Sequence, residues 1–206
     1  MDNIKVYDLT IPQKSIYLTE QYAPNTSINL ISGNVIIEEK VNLNFLEKAL
    51  NLYVQKNEAI RLRICMVNGK PKQYVNKYTP FTIKKIQISN EEKLFELNTK
   101  IINTPFSFLN SDLFSFTLFS FDNGTGGLNV TFHHIISDAW SMSLFVDEVI
   151  DIYSKLLKGD EIDTQCDYSY IEFINNEQNY LNDTRFQKDK DFWNSIFDSE
   201  PIISLI

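Results

Sequence analysis

Residues 113–140 read LFSFTLFSFDNGTGGLNVTFHHIISDAW. Leu113 to Phe121 is an apolar, aromatic-rich run that reads as a buried strand. Leu128 to His134 is a second such run, and the turn residues Asp122 to Gly127 lie between them. This pattern predicts an antiparallel strand pair in the middle of a sheet. Gly124, Gly126 and Gly127 are read as the turn itself, because they sit between strands rather than ahead of a helix where a phosphate loop would lie. Ser137 or Asp138 can cap a long helix from Trp140 to Leu157, with Leu144, Phe145, Val149, Ile152, Tyr153 and Leu156 facing the core and Gly159 ending it.

Working outward, the same signals recur. Thr10 and Pro12 open a short helix to Tyr22 that spaces Ile16, Tyr17 and Glu20 helically. Ser27 to Ile37 is rich in β-branched residues and predicts a strand with a bend or bulge at Gly33. Leu46, Ala49, Leu50, Tyr53 and Val54 form one face of a helix over Asn44 to Lys56. Ala59 to Val67 alternates as a strand, and Asn68-Gly69 turns it back through Gln73 to Val75 as a hairpin. Phe81 to Ile88 reads as a strand and Glu91 to Ile102 as a helix, with Pro105 and Asn110-Ser111-Asp112 breaking the chain before the central pair. Two further helices follow, one through Tyr170, Ile171, Ile174 and Glu177, the other through Phe186, Trp193, Ile196 and Phe197. The order of elements predicts an α/β fold in which helices pack on a mixed sheet.

Composition limits the function. The 206 residues are 43% hydrophobic and 22% charged, enough for one largish domain or two small ones that bury roughly 70% of the unfolded surface. The net charge of −8 repels nucleic acid and anionic lipid. Cys65 and Cys166 are isolated, which fits a reducing compartment and gives no thiolate metal site. The N-terminus lacks an apolar signal core, and no run reaches the length of a membrane span. The expectation is a cytoplasmic protein without membrane or nucleic-acid partners.

The candidate chemistry sits at the end of the central pair. The chain has two histidines, and they are the neighbours His133 and His134, with Asp138 four residues beyond. Successive strand residues face opposite ways, so one imidazole can meet a cavity while the other is held inside. An imidazole can accept or position a proton near neutral pH, and a carboxylate nearby can organise it. Two satisfied structural histidines are the alternative. A metal site is disfavoured, because adjacent side chains diverge and no third histidine exists. No Gly-x-Ser-x-Gly nucleophile elbow occurs. Three basic residues are arginine. Arg61 and Arg63, two apart, would share a strand face, and Asp138 is the carboxylate expected to need such a fork, a solvated face being the alternative.

The run from Phe132 to Ser141 resembles the H-H-x-x-x-D-G motif, often followed by W-S, of the condensation domains of nonribosomal peptide synthetases. Ala139 stands where that family usually has glycine. Leu9 to Tyr17 resembles the family's opening motif, Lys56 to Arg63 its R-H-E-A-L-R-T-R, and Tyr170 to Ile174 its Y-x-D-Y-A-x-W-Q. The resemblance implies a chloramphenicol-acetyltransferase-like α/β sandwich, with residues 1–206 forming a single N-terminal lobe whose C-terminal partner lobe lies outside this chain. It implies amide formation between a carrier-bound acyl or peptidyl thioester donor and an aminoacyl acceptor. It makes His134 the catalytic residue, His133 its support, and Asp138 a structural residue paired with Arg61. The chain itself would bind no cofactor and no metal; donor and acceptor carrier proteins would present substrates on phosphopantetheine, and the lobe alone would be inactive. If Met1 is the native start, the donor arrives in trans. The alternatives are a stand-alone acyltransferase of the same superfamily, acting on an alcohol or amine, and a degenerate module that recruits proteins.

Overall fold

The computed structural model describes residues 4–165 and 168–197. Cys166 and the apolar terminus from Pro201 lie outside the described residues. The chain divides into two compact units, 1–167 and 168–206.

The first unit is built on two sheets. A four-stranded sheet has the order β2 (Leu30–Ile37), β7 (Gly126–His133), β6 (Phe114–Phe121), β5 (Lys84–Ile88). The pairs β2–β7 and β7–β6 are antiparallel, and β5–β6 is parallel. The central pair expected from residues 113–134 is therefore in place. A three-stranded sheet holds β1 (Tyr7–Asp8), β4 (Lys70–Val75) and β3 (Leu62–Val67). The hairpin thus joins β1 in a sheet of its own instead of extending one mixed sheet. At its turn Asn68 and Gly69 both have positive φ, 51° and 74°, as a two-residue hairpin loop requires.

Strand β7 is buried along its whole length, and its two faces differ. Leu128, Val130 and Phe132 enter the main core. That core is closed by Leu46, Ala49, Leu50 and Val54 of α2 (Leu43–Lys56) and Phe145, Val149, Ile152 and Tyr153 of α4 (Ala139–Lys158). Phe145 stacks on Phe116 at 5.6 Å and meets Phe132 edge-on at 5.1 Å. On the alternate positions Asn129, Thr131 and His133 are polar and equally buried. Asn129 donates to Asn34 and to Asn98 of α3 (Glu91–Ile102), and Thr131 bonds Ser32. A smaller cluster of Leu9, Ile64, Leu113 and Ile135, flanked by Ile16 and Tyr17 of α1 (Ile11–Tyr22), lies beneath the end of β7.

Several expectations are corrected by tertiary contacts. Gly33 makes no bulge, since β2 and β7 pair without interruption from Leu30–His133 to Ile37–Gly126. Gly126 and Gly127 belong to β7, not to the turn. A Cβ on Gly127 would come within 1.9 Å of the Val35 carbonyl oxygen, so the sheet itself demands glycine there. The strand expected from Phe81 starts at Lys84, because Asn51 and Glu47 of α2 take the main-chain groups of residues 81–83. Phe81 exchanges two bonds with Asn51, and the Ile83 amide donates to Glu47 at 2.7 Å. Leu144 is 52% exposed instead of core-facing. Helix α4 otherwise runs as expected, from Asp138 as N-cap to a left-handed Gly159.

The second unit contains α5 (Tyr170–Leu181) and α6 (Thr184–Ile196). No residue of α6 is buried; Phe192, Trp193, Ile196 and the following Phe197 are all more than half exposed.

Candidate active site

His133 is the last residue of β7, and its backbone amide donates to the Leu113 carbonyl. The ring is enclosed, with 3% of the residue exposed. Its Nδ1 accepts from the Ile135 amide at 3.1 Å, so Nδ1 carries no proton and Nε2 does. That Nε2–H donates to Oε2 of Glu20 at 3.3 Å, and Phe108 lies against the ring at 5.1 Å. Burial holds the His133 pKa below the ordinary imidazole value, with Glu20 opposing the shift. A ring that is both hydrogen-bond donor and acceptor in this way is a neutral structural imidazole.

His134 has left the strand. Its amide donates to the Asn29 carbonyl at 2.7 Å, while the chain turns through a bond from the Ile136 amide to the His133 carbonyl. The side chain is exposed, and its Nδ1 lies 2.9 Å from the carbonyl oxygen of Ser137. A carbonyl can only accept, so the neutral ring carries its proton on Nδ1 and keeps its lone pair on Nε2. The two neighbouring imidazoles are therefore held in opposite tautomers, one closed inside and one open with a basic nitrogen.

Asp138 accepts from the Ser141 amide and hydroxyl, both at 2.7 Å. These bonds hold its carboxyl below the usual range. It is the N-cap of α4 and is itself exposed. Ala139 is the first residue of that helix and is not among the positive-φ residues; a methyl group is accommodated where the motif commonly has glycine.

The expected pairing of Asp138 with Arg61 does not form. Arg61 lies in a 3-10 turn, Ala59–Arg61, before β3 begins, so it does not share a strand face with Arg63. Its guanidinium donates to the carbonyls of Val54, Gln55 and Asn57 at 2.5, 2.6 and 3.1 Å and to that of Asn76 at 3.1 Å. The first three are carbonyls at the end of α2, which leaves them without intrahelical partners and where a cation is favoured. Arg63 instead pairs with Asp112 at 2.7 Å. Lys56, at the position of the motif's first arginine, reaches Glu148 of α4 at 3.1 Å.

Two groups of residues that the sequence did not single out surround the histidines. Glu20, placed by spacing alone, is 6% exposed and accepts from Asn29 Nδ2 at 2.9 Å as well as from His133. Gln13 forms a capping box with Thr10. It exchanges two 2.8 Å bonds with Gln73 of β4 and donates to the Ile135 carbonyl at 3.2 Å. The Thr10-x-x-Gln13 spacing is a recognisable capping signal. No local signal marks Gln73 or Asn29.

A family model for the condensation domain matches residues 3–206. The chain belongs to the condensation-domain family. Two relatives come from Bacillus subtilis (strain 168). Surfactin synthase subunit 1 is 32% identical over 98% of this chain and 6% of that protein, and a plipastatin synthase is 34% identical over 93% of this chain and 8% of that protein. The chain is thus a small fraction of the length of these synthetases. The starter condensation domain of rhizomide synthetase RzmA shares the fold, with a TM-score of 0.86 at 19% identity over 96% of this chain and 49% of that one. The first condensation domain of the calcium-dependent antibiotic synthetase, in complex with a substrate analogue, gives 0.85 at 23% identity over 98% and 50%. The α/β fold of mixed sheets and flanking helices is that of these condensation domains, about half of whose length this chain spans. Among the described residues no helix is long and apolar enough to cross a membrane.

Proposed function

We propose that this chain supplies the catalytic imidazole of an amide-forming condensation domain, and that His134 is that imidazole. The observation carrying this reading is the fixed tautomer of His134: Nδ1–H is spent on Ser137 and Nε2 is left open on an exposed ring. In the reaction an acceptor amine attacks the carbonyl carbon of a donor thioester. The C–N bond forms, the C–S bond breaks, Nε2 of His134 takes the amine proton, and the departing thiolate receives a proton in turn. His133 and Asp138 support this ring by holding the turn and the start of α4. Donor and acceptor arrive on phosphopantetheine arms of carrier proteins, and the other wall of the site comes from a second lobe.

The test is His134→Ala within a complete condensation domain carrying this lobe, given acyl and aminoacyl carrier thioesters. Amide formation should fall by roughly 10²- to 10⁴-fold, the range for a positioned general base. Stability should change by less than about 1 kcal/mol, because an exposed ring leaves no buried partner stranded. Unchanged turnover would remove His134 from the chemistry.

A further inference from the structure

We infer that Glu20 is a positioning residue for His134, acting through His133 and Asn29 and never touching substrate; the inference rests on the reading of His134 as the base. One buried oxygen, Oε2, receives both the Nε2–H of His133 and the amide of Asn29. Each of these partners grips the segment bearing His134.

Through His133 the route is a matter of tautomers. A carboxylate offers only acceptors, so the nitrogen of His133 facing Glu20 must carry the proton. The opposite nitrogen is then an acceptor and binds the Ile135 amide. That bond, with the turn bond from Ile136 to His133, shapes the five residues from His133 to Ser137. The Ser137 carbonyl in turn fixes the proton of His134 on Nδ1. Through Asn29 the route is shorter, since the same residue that donates to Glu20 accepts the His134 amide on its main-chain carbonyl. Replacing Glu20 by leucine removes both acceptances at once, whereas the amide oxygen of glutamine has two lone pairs and can take the place of Oε2.

The experiment is long-range proton–nitrogen correlation NMR on the full chain at pH 7. With two histidines in the sequence, His134→Ala assigns both rings. The expected wild-type spectrum has His133 protonated on Nε2 alone and His134 protonated on Nδ1. In E20L, shown by circular dichroism and a melting curve to be folded, the Nδ1 signal of His134 should move from the protonated toward the unprotonated range as its tautomer becomes mixed. A folded E20L whose His134 signals match wild type overturns the inference. Should E20L not fold, the wild-type spectrum decides, because a His133 protonated on Nδ1 breaks the route at its first step. These spectra read the placement of protons irrespective of turnover, so failure of the base assignment would appear separately, in the condensation rate of His134→Ala.

Discussion

At the scale of single residues, His133 and Asp138 are both displaced in titration and act in separate pH windows. His133 is buried and neutral, with its pKa held below the unfolded value of about 6.5. In the window between the two values the unfolded chain binds the extra proton, so stability rises with pH there. The melting temperature should be flat above about pH 6.5 and decline as pH falls, and His133→Gln should flatten the curve. Asp138 is depressed below its ordinary 3.8, so its contribution disappears only on further acidification. Asp138→Ala should cost about 1 kcal/mol, the usual loss of an N-cap, measured by thermal unfolding. The larger loss typical of a broken buried ion pair should be absent, since no arginine is stranded when Asp138 goes. A destabilisation of several kcal/mol would show that Asp138 holds more than the first turn of α4.

At the scale of elements, the glycines of the central sheet distinguish local conformation from contact. Gly33 and Gly127 both lie in paired strands, yet a Cβ on Gly33 meets nothing within 4 Å and one on Gly127 meets the β2 main chain at Val35. Gly127→Ala should therefore destabilise by about 1–3 kcal/mol, the range for forcing atoms into a packed site, with β2 shifted away from β7. Gly33→Ala should be neutral or stabilising by a few tenths of a kcal/mol, because it only stiffens the unfolded chain. Chemical denaturation of the pair checks both, and equal effects would mean that packing does not separate them. Hairpin, helix boundaries and central strand pair were legible because period, caps and turn residues act over a few positions. The start of β5 was not, since it depends on Asn51 and Glu47 some thirty residues earlier.

For the whole molecule, the exposed apolar residues carry a prediction. Leu18 and Tyr22 are one turn apart on α1, as Trp140 and Leu144 are on α4, and all four are more than half exposed. Together with half-length coverage of the solved condensation domains, this supports a surface that packs on a second lobe. The chain alone should self-associate with rising concentration in light scattering. It should also form no amide from carrier thioesters, because one wall cannot position two substrates or exclude water. Monomeric behaviour at high concentration, or turnover well above a boiled control, would contradict the two-lobe reading.

The sequence by itself determined the α/β order, the central antiparallel pair and the placing of His133, His134 and Asp138 at its end, because these depend on neighbours within a turn or a strand. The resemblance to condensation domains was carried by these residues together with three further short stretches, Leu9 to Tyr17, Lys56 to Arg63 and Tyr170 to Ile174, each readable along the chain. Tertiary structure alone decided the surroundings of these side chains. Which histidine is closed and which open follows from Glu20, Asn29 and Ser137; Arg61 serves the end of α2 because that helix terminates beside it, not because Asp138 lacked a partner. Hydrogen-bond partners of long polar side chains are fixed by where distant backbone segments pass, and spacing along the chain holds no record of that.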